Sequence, residues 1–98
     1  MWPYIVAYEL ENPECYSEAL STILRDIGAM RLTATAWLIA SDWNANAILE
    51  QVRPVIGRND RLLVLELGED LAALNIAEYR HFLSGVRPRP PRLPTLKM

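Results

Sequence analysis

The chain has one cysteine and one histidine, and each scarcity excludes a class of site. Because Cys15 is the only cysteine, no disulfide can form within the chain and no cage of cysteine ligands can hold a metal. Zinc sites usually take several histidine or cysteine ligands, so His81 as the only histidine argues against a zinc enzyme. A Walker loop, a glycine-rich dinucleotide turn and a readable serine, histidine and aspartate set are also missing from the sequence.

Long apolar runs are missing as well. The longest apolar stretches fall far short of the roughly 18–20 residues that a membrane-spanning helix needs. Pro3 and Glu9 interrupt the first residues, where a signal peptide would carry its apolar region. We therefore expect a cytoplasmic protein that does not associate with membranes. Of the 98 residues, 51% are nevertheless hydrophobic, which is enough for one domain with its own core.

Acidic and basic residues are unevenly distributed along the chain. Residues 1–85 carry all twelve acids against six arginines, whereas residues 86–98 carry four basic residues and no acid. An acidic body does not attract a phosphate backbone at long range. We predict that residues 86–98 form a disordered tail rich in arginine and proline, and the favoured interpretation is a solubilising end without a partner. The alternative is an electrostatic arm in which Arg87, Arg89 and Arg92 contact nucleic acid or another partner.

Residues 1–85 show an alternation of strand and helix patterns. Signals for helix caps, turns and apolar periodicity divide them into six main elements and one short helix. In chain order, we predict a strand at residues 4–8, a helix from Asn12-Pro13 to Gly28, two strands within residues 30–41 that meet near Thr35, a helix capped by Asn44 that ends or kinks near Pro54, a strand at residues 61–67 and a short helix at residues 75–83.

This order of elements predicts a ferredoxin-like βαββαβ sandwich for residues 1–85. The fold is of the α/β (α+β) type, with an antiparallel four-stranded sheet, two helices on one face and here a short C-terminal helix. The first and fourth strands are apolar on both faces, so the face without helices also needs a cover. A second copy of the same face supplies it in a two-fold homodimer, which is the favoured interpretation. The alternative cover is the last short helix, folded back over the sheet.

Four segments carry a resemblance to a known family. They are residues 4–10 (YIVAYEL), the helix that ends at Gly28, residues 35–38 (TAWL) and residues 59–64 (NDRLLV). They resemble the small SinR-like proteins, distant relatives of the CRISPR-associated protein 2 endoribonucleases and of the virulence-associated protein D ribonucleases. The resemblance covers residues 3–83. It implies a ferredoxin-like homodimer, and in some members cleavage of RNA or DNA with a divalent metal.

The resemblance assigns a role to Glu9. In those nucleases the first strand usually ends in Tyr-Asp, and the aspartate is the proposed metal ligand at the dimer interface. The matching residue here is Glu9, which keeps the hard oxygen ligand that Mg²⁺ accepts but adds a methylene. As a ligand and catalytic residue, Glu9 would help to activate water at a phosphodiester. Alternatively, antiparallel pairing places Glu9 near Thr35 and Arg61, so that it pairs with Arg61 or Arg31 or meets solvent, while Glu66 falls at the other end of the first strand.

The remaining candidate residues favour structural roles. Trp2, Trp37 and Trp43 offer stacking platforms for bases, but aromatic packing in the core or a dimer interface is the favoured use in so short a chain. Asp60 is interpreted as a turn residue, and Asp42 as an acid at the start of the second helix.

Two functional hypotheses remain. The first is a homodimeric binding or scaffold module without catalysis, whose partner is nucleic acid or another protein. The second is a Mg²⁺-dependent endoribonuclease or nuclease that uses Glu9. The acidic body, the replacement of aspartate by glutamate and the absence of supporting catalytic residues favour the first hypothesis.

Overall fold

The structure, a computed structural model, describes residues 1–68 together with Asp70, Ala72, residues 74–76, Phe82 and Val86. Its elements are β1 (Trp2–Glu9), α1 (Pro13–Asp26), β2 (Met30–Thr33), β3 (Ala36–Ser41), α2 (Ala45–Val52) followed by a 3-10 turn (Arg53–Val55), and β4 (Arg61–Glu66). The predicted tail with Arg87, Arg89 and Arg92, His81 and most of the predicted last helix lie outside the described residues.

The four strands form one antiparallel sheet in the order β2-β3-β1-β4. The first strand, β1, lies inside the sheet and pairs antiparallel with both β3 and β4. The predicted α+β class, the four-stranded antiparallel sheet and the two helices are thus confirmed, and their arrangement is consistent with a ferredoxin-like fold. No helix in the described part of the chain combines the length and apolarity needed to cross a membrane.

The core lies between one face of the sheet and the two helices. Alternate residues of β1 and β3 point to this face, because successive side chains of a strand point to opposite sides. They meet the apolar sides of α1 and α2. The buried members are Tyr4, Val6, Tyr8, Trp37 and Ile39 from the sheet, Leu20 and Leu24 from α1, and Ile48 and Val52 from α2. Both helices therefore cover the same face of the sheet, as predicted.

Local sequence signals explain where the helices begin and end. Pro13 is the first residue of α1, where its missing N–H group removes no helical hydrogen bond. Asn12 occupies the N-cap position as predicted, but its side chain makes no capping hydrogen bond. Gly28 follows α1 with a φ of +87°, the left-handed conformation that ends many helices. The Asn44 Oδ1 accepts a 2.8 Å hydrogen bond from the Ala47 N–H, which confirms the predicted cap of α2.

Neither the connection between β2 and β3 nor the end of α2 depends on a glycine. The strands predicted within residues 30–41 join at Ala34 and Thr35, where the Thr35 N–H points to the Thr33 Oγ1 at 3.4 Å. A threonine hydroxyl thus supports a turn that has no glycine. The second helix ends at Val52, and Pro54 lies in the following 3-10 turn, as the loss of its N–H donor predicts.

Candidate functional site

The face of the sheet opposite the helices, which we call the open face, is apolar. It is formed by the other alternate residues of the strands, which are apolar apart from the ion pair at one end: Met30, Pro3, Ile5, Ala7, Ala36, Leu38, Ala40, Leu63 and Leu65, with Glu9 and Arg61 at that end. Leu63 pairs with Ala7 and Leu65 with Ile5, and the two leucines are 57% and 54% exposed. Leu38, on the same face, is only 1% exposed. The exposed part of the open face therefore lies along β4.

Glu9 lies at the end of β1 that borders this exposed part. It pairs with Arg61, the first residue of β4, and the Arg61 Nε lies 3.9 Å from the Glu9 Oε1. The neighbouring Tyr8 N–H donates a 3.0 Å hydrogen bond to the Thr35 carbonyl oxygen. The positions predicted from antiparallel pairing are thus confirmed, and Arg61 rather than Arg31 is the partner of Glu9. Both side chains of the pair are largely exposed, so their attraction is weak.

Glu9 borders two grooves at this end of the sheet. The first is a shallow groove of about 240 Å³, largely open to solvent, that runs along β1 and β4; its lining residues are Ala7, Tyr8, Glu9, Arg61, Leu62 and Leu63. The second encloses about 170 Å³ and reaches the start of α1; its lining residues are Tyr8, Glu9, Leu10, Pro13, Ser17, Ala34 and Thr35. A ligand at this end would meet one carboxylate, one guanidinium and an apolar floor.

The residues around Glu9 supply few ligands for a metal ion. In the described part of the chain, no three histidine, cysteine, aspartate or glutamate side chains are grouped so as to hold a metal. Glu66 pairs with Tyr4 near the other end of β1, which confirms that it is not a partner of Glu9. Mg²⁺ is commonly bound by one or two carboxylates together with substrate phosphates. Glu9 fits that chemistry as a single ligand, and its copy in a dimer would have to supply a second.

Asp60 has a larger structural role than a turn residue. Its Oδ2 accepts a 2.7 Å hydrogen bond from the Gly57 N–H, which is the predicted turn chemistry. Its Oδ1 accepts a 2.8 Å hydrogen bond from the Glu11 N–H, and the Asn59 side chain donates to the Glu11 carboxylate at 3.1 Å. The entrance to β4 is thereby fixed to the loop that directly follows β1.

Trp37 is a core residue that two arginines cover. Its indole Nε1–H donates a 3.0 Å hydrogen bond to the Tyr8 hydroxyl, and its side chain is buried. The guanidinium carbon of Arg31 lies 5.0 Å from the centre of the ring, and that of Arg25 lies 5.7 Å away. Arg31 also donates a 3.1 Å hydrogen bond to the Ser21 hydroxyl. The packing interpretation of Trp37 is confirmed.

No known protein-family model matches this chain, and no curated protein matches it. The resemblance to the SinR-like proteins therefore stays a prediction.

Two further candidates lie near the start of α2. Trp43 is exposed in the connection between β3 and α2, so it is not part of the core. Asp42 precedes the N-cap residue Asn44, and the first turn of α2 holds no acid. The Asp42 Oδ1 instead lies 3.0 Å from the amino group of Met1. The interpretation of Asp42 as a helix-start acid is therefore replaced by that of an exposed ion pair.

Proposed function

We propose that this chain is a homodimeric ferredoxin-like protein that acts as a binding or scaffold module without catalysis. The observation that carries the proposal is the exposure of Leu63 and Leu65. These two leucines are neighbours on the same face of β4, and the rest of that sheet face is mostly apolar as well. Contiguous exposed apolar surface of this kind often marks an interface. The partner of the dimer is nucleic acid or another protein, and Arg87, Arg89 and Arg92 are the residues proposed to contact it.

A second copy suits the open face better than a polyanion does. Its sheet residues are apolar, and the adjoining rim holds Glu9 and Arg61, one acid and one base. In a two-fold interface each patch meets its own copy, so Glu9 of one subunit is available to pair with Arg61 of the other. A nucleic acid backbone would require several positive charges on this face.

Replacing Leu63 and Leu65 together by lysine is expected to weaken dimerisation by roughly 100-fold to 1,000-fold. The reason is that four leucines per dimer would lose their apolar cover and four charges would be placed in the interface. Sedimentation equilibrium over a range of protein concentrations measures the dissociation constant directly. Circular dichroism should show an unchanged fold, because both positions are exposed in the single chain.

Trp43→Lys is the matched control, since Trp43 is also large, apolar and exposed but lies outside the sheet. It should leave the dissociation constant unchanged. A wild-type chain that stays monomeric at all concentrations, or a double variant that dimerises as tightly as wild type, would show that the open face is not a dimer interface.

Incubation with labelled RNA and single-stranded DNA in Mg²⁺ or Mn²⁺ tests the alternative nuclease function. We expect no cleavage that depends on Glu9, because its carboxylate is paired with Arg61 and belongs to no group of three metal-binding side chains among the described residues. Glu9→Ala is compared with Glu14→Ala, which removes an exposed carboxylate in the first turn of α1. Cleavage that EDTA and Glu9→Ala both abolish, and that Glu14→Ala preserves, would replace the binding module by a metal-dependent nuclease.

A further inference from the structure

Two arginines from different elements converge on one tryptophan ring. Arg25 lies in the last turn of α1, and Arg31 lies in the edge strand β2, next to Trp37 of β3. Their guanidinium carbons lie 5.7 Å and 5.0 Å from the centre of the Trp37 ring. Because the ring is only 1% exposed, the exposed arginines and not the indole are what a ligand would meet. The surface here is a pair of positive charges on a rigid aromatic support.

Among the described residues, no acid forms an ion pair with either arginine. In the part of the chain that the structure describes, the ion pairs involve Arg53 with Glu50, Arg61 with Glu9, and Met1 with Asp42. Arg31 makes one hydrogen bond, to the buried Ser21 hydroxyl, which holds its guanidinium in place. Both guanidinium carbons lie within 5.7 Å of one point, the centre of the Trp37 ring, and an anion that contacted both groups would offset the repulsion between their charges.

The geometry points to an oxyanion with two negative charges. A guanidinium presents five N–H donors in a planar fork, of which Arg31 uses one for Ser21. Two such forks can bind several phosphate oxygens at once, and a phosphate monoester carries about −1.5 to −2 charges at pH 7. We propose that Arg25 and Arg31, held over Trp37, form a binding site for a phosphate monoester group on a small ligand.

A small ligand fits the site better than a nucleic acid chain does. Two arginines of the described part of the chain converge here, and the buried Trp37 ring offers no face on which a base can stack. The site lies at the β2 edge of the sheet, whereas the exposed part of the open face lies along β4, the opposite edge. Phosphate binding and dimerisation are therefore separate properties, and the failure of one leaves the other untouched.

The test is a titration of the full chain with methyl phosphate at constant ionic strength. Calorimetry gives the affinity, and nuclear magnetic resonance follows the side-chain Nε–H signals of Arg25 and Arg31. We expect saturable binding with shifts at both signals. Arg25→Gln and Arg31→Gln should each weaken binding by about 10-fold or more, because each removes charge-assisted hydrogen bonds to the anion. Arg31→Lys keeps the charge without the planar fork of donors, so it should give an intermediate loss of affinity. A folded Arg31→Lys variant also serves as the control that the fold tolerates a change at this position.

Two controls make the test specific. Arg53→Gln removes an exposed arginine that is paired with Glu50, and it should leave the affinity for methyl phosphate unchanged. Dimethyl phosphate, which carries a single charge, should bind at least about 10-fold more weakly than methyl phosphate. The proposal is overturned if binding is not saturable, if chloride at equal ionic strength gives the same shifts, or if Arg25→Gln and Arg53→Gln have equal effects.

Discussion

Replacing Trp37 with alanine is expected to lower the free energy of unfolding by about 3–5 kcal/mol. Trp37 is the largest of the fully buried side chains, and it packs in the core between the sheet and the helices. Small domains typically have only about 5–15 kcal/mol of stability, so this change removes a large share of it. Urea denaturation followed by far-ultraviolet circular dichroism measures the effect.

Two variants make that result interpretable. Trp43→Ala removes an exposed tryptophan and should change the stability by no more than about 0.5 kcal/mol. Trp37→Phe keeps an aromatic ring but removes the Nε1–H donor to the Tyr8 hydroxyl, so its loss should be smaller than that of Trp37→Ala. If Trp37→Ala destabilised the protein no more than Trp43→Ala, the packing described for the core would be wrong.

Replacing Asp60 with alanine is expected to lower the free energy of unfolding by about 1.5–3 kcal/mol, the range for hydrogen bonds to a charged group. The substitution leaves the Gly57 and Glu11 N–H groups without their acceptor and releases the loop after β1 from the entrance to β4. Thermal and urea denaturation should agree on the loss.

A substitution at Gly57 tests the same hydrogen bond from the donor residue. A Cβ atom added at Gly57 would lie 2.9 Å from the Asp60 Oδ2, so Gly57→Ala should displace the carboxylate and destabilise the protein as well. Asp26→Ala removes an exposed acid at the end of α1 and serves as the control, with a change within about 0.5 kcal/mol. Equal stabilities for Asp60→Ala and Asp26→Ala would show that the link between the two loops does not stabilise the fold.

Much of the fold could be predicted because its signals are local. Proline at the start of α1, Gly28 after its end and the Asn44 cap each act within one helical turn. The position of Glu9 beside Arg61 was also predictable, since an antiparallel register follows once the strands and their order are assumed. The apolar residues on both faces of the first and fourth strands likewise predicted that the sheet has a second apolar face.

The contacts that join distant parts of the chain could not be predicted. The Glu11 N–H and the Asp60 carboxylate are 49 positions apart, and no pattern in the sequence pairs an acid with one particular backbone group. The convergence of Arg25 and Arg31 on Trp37 depends on how α1 crosses the sheet, which periodicity does not specify. The sequence could not decide between a metal-binding and a structural role for Glu9 for a similar reason. The role of a single carboxylate depends on which groups the fold places beside it.

The position of β1 has a consequence for folding. It pairs with β3 on one side and β4 on the other, and those two strands do not pair with each other. Without β1 the sheet falls into a two-stranded hairpin and a lone strand, neither of which is stable by itself in water. Unfolding is therefore expected to be a single cooperative event for the sheet. The groove along β1 and β4 and the surface that presents the exposed leucines of β4 should then form only when the whole sheet folds. No partly folded form is expected to present either of them in its native shape.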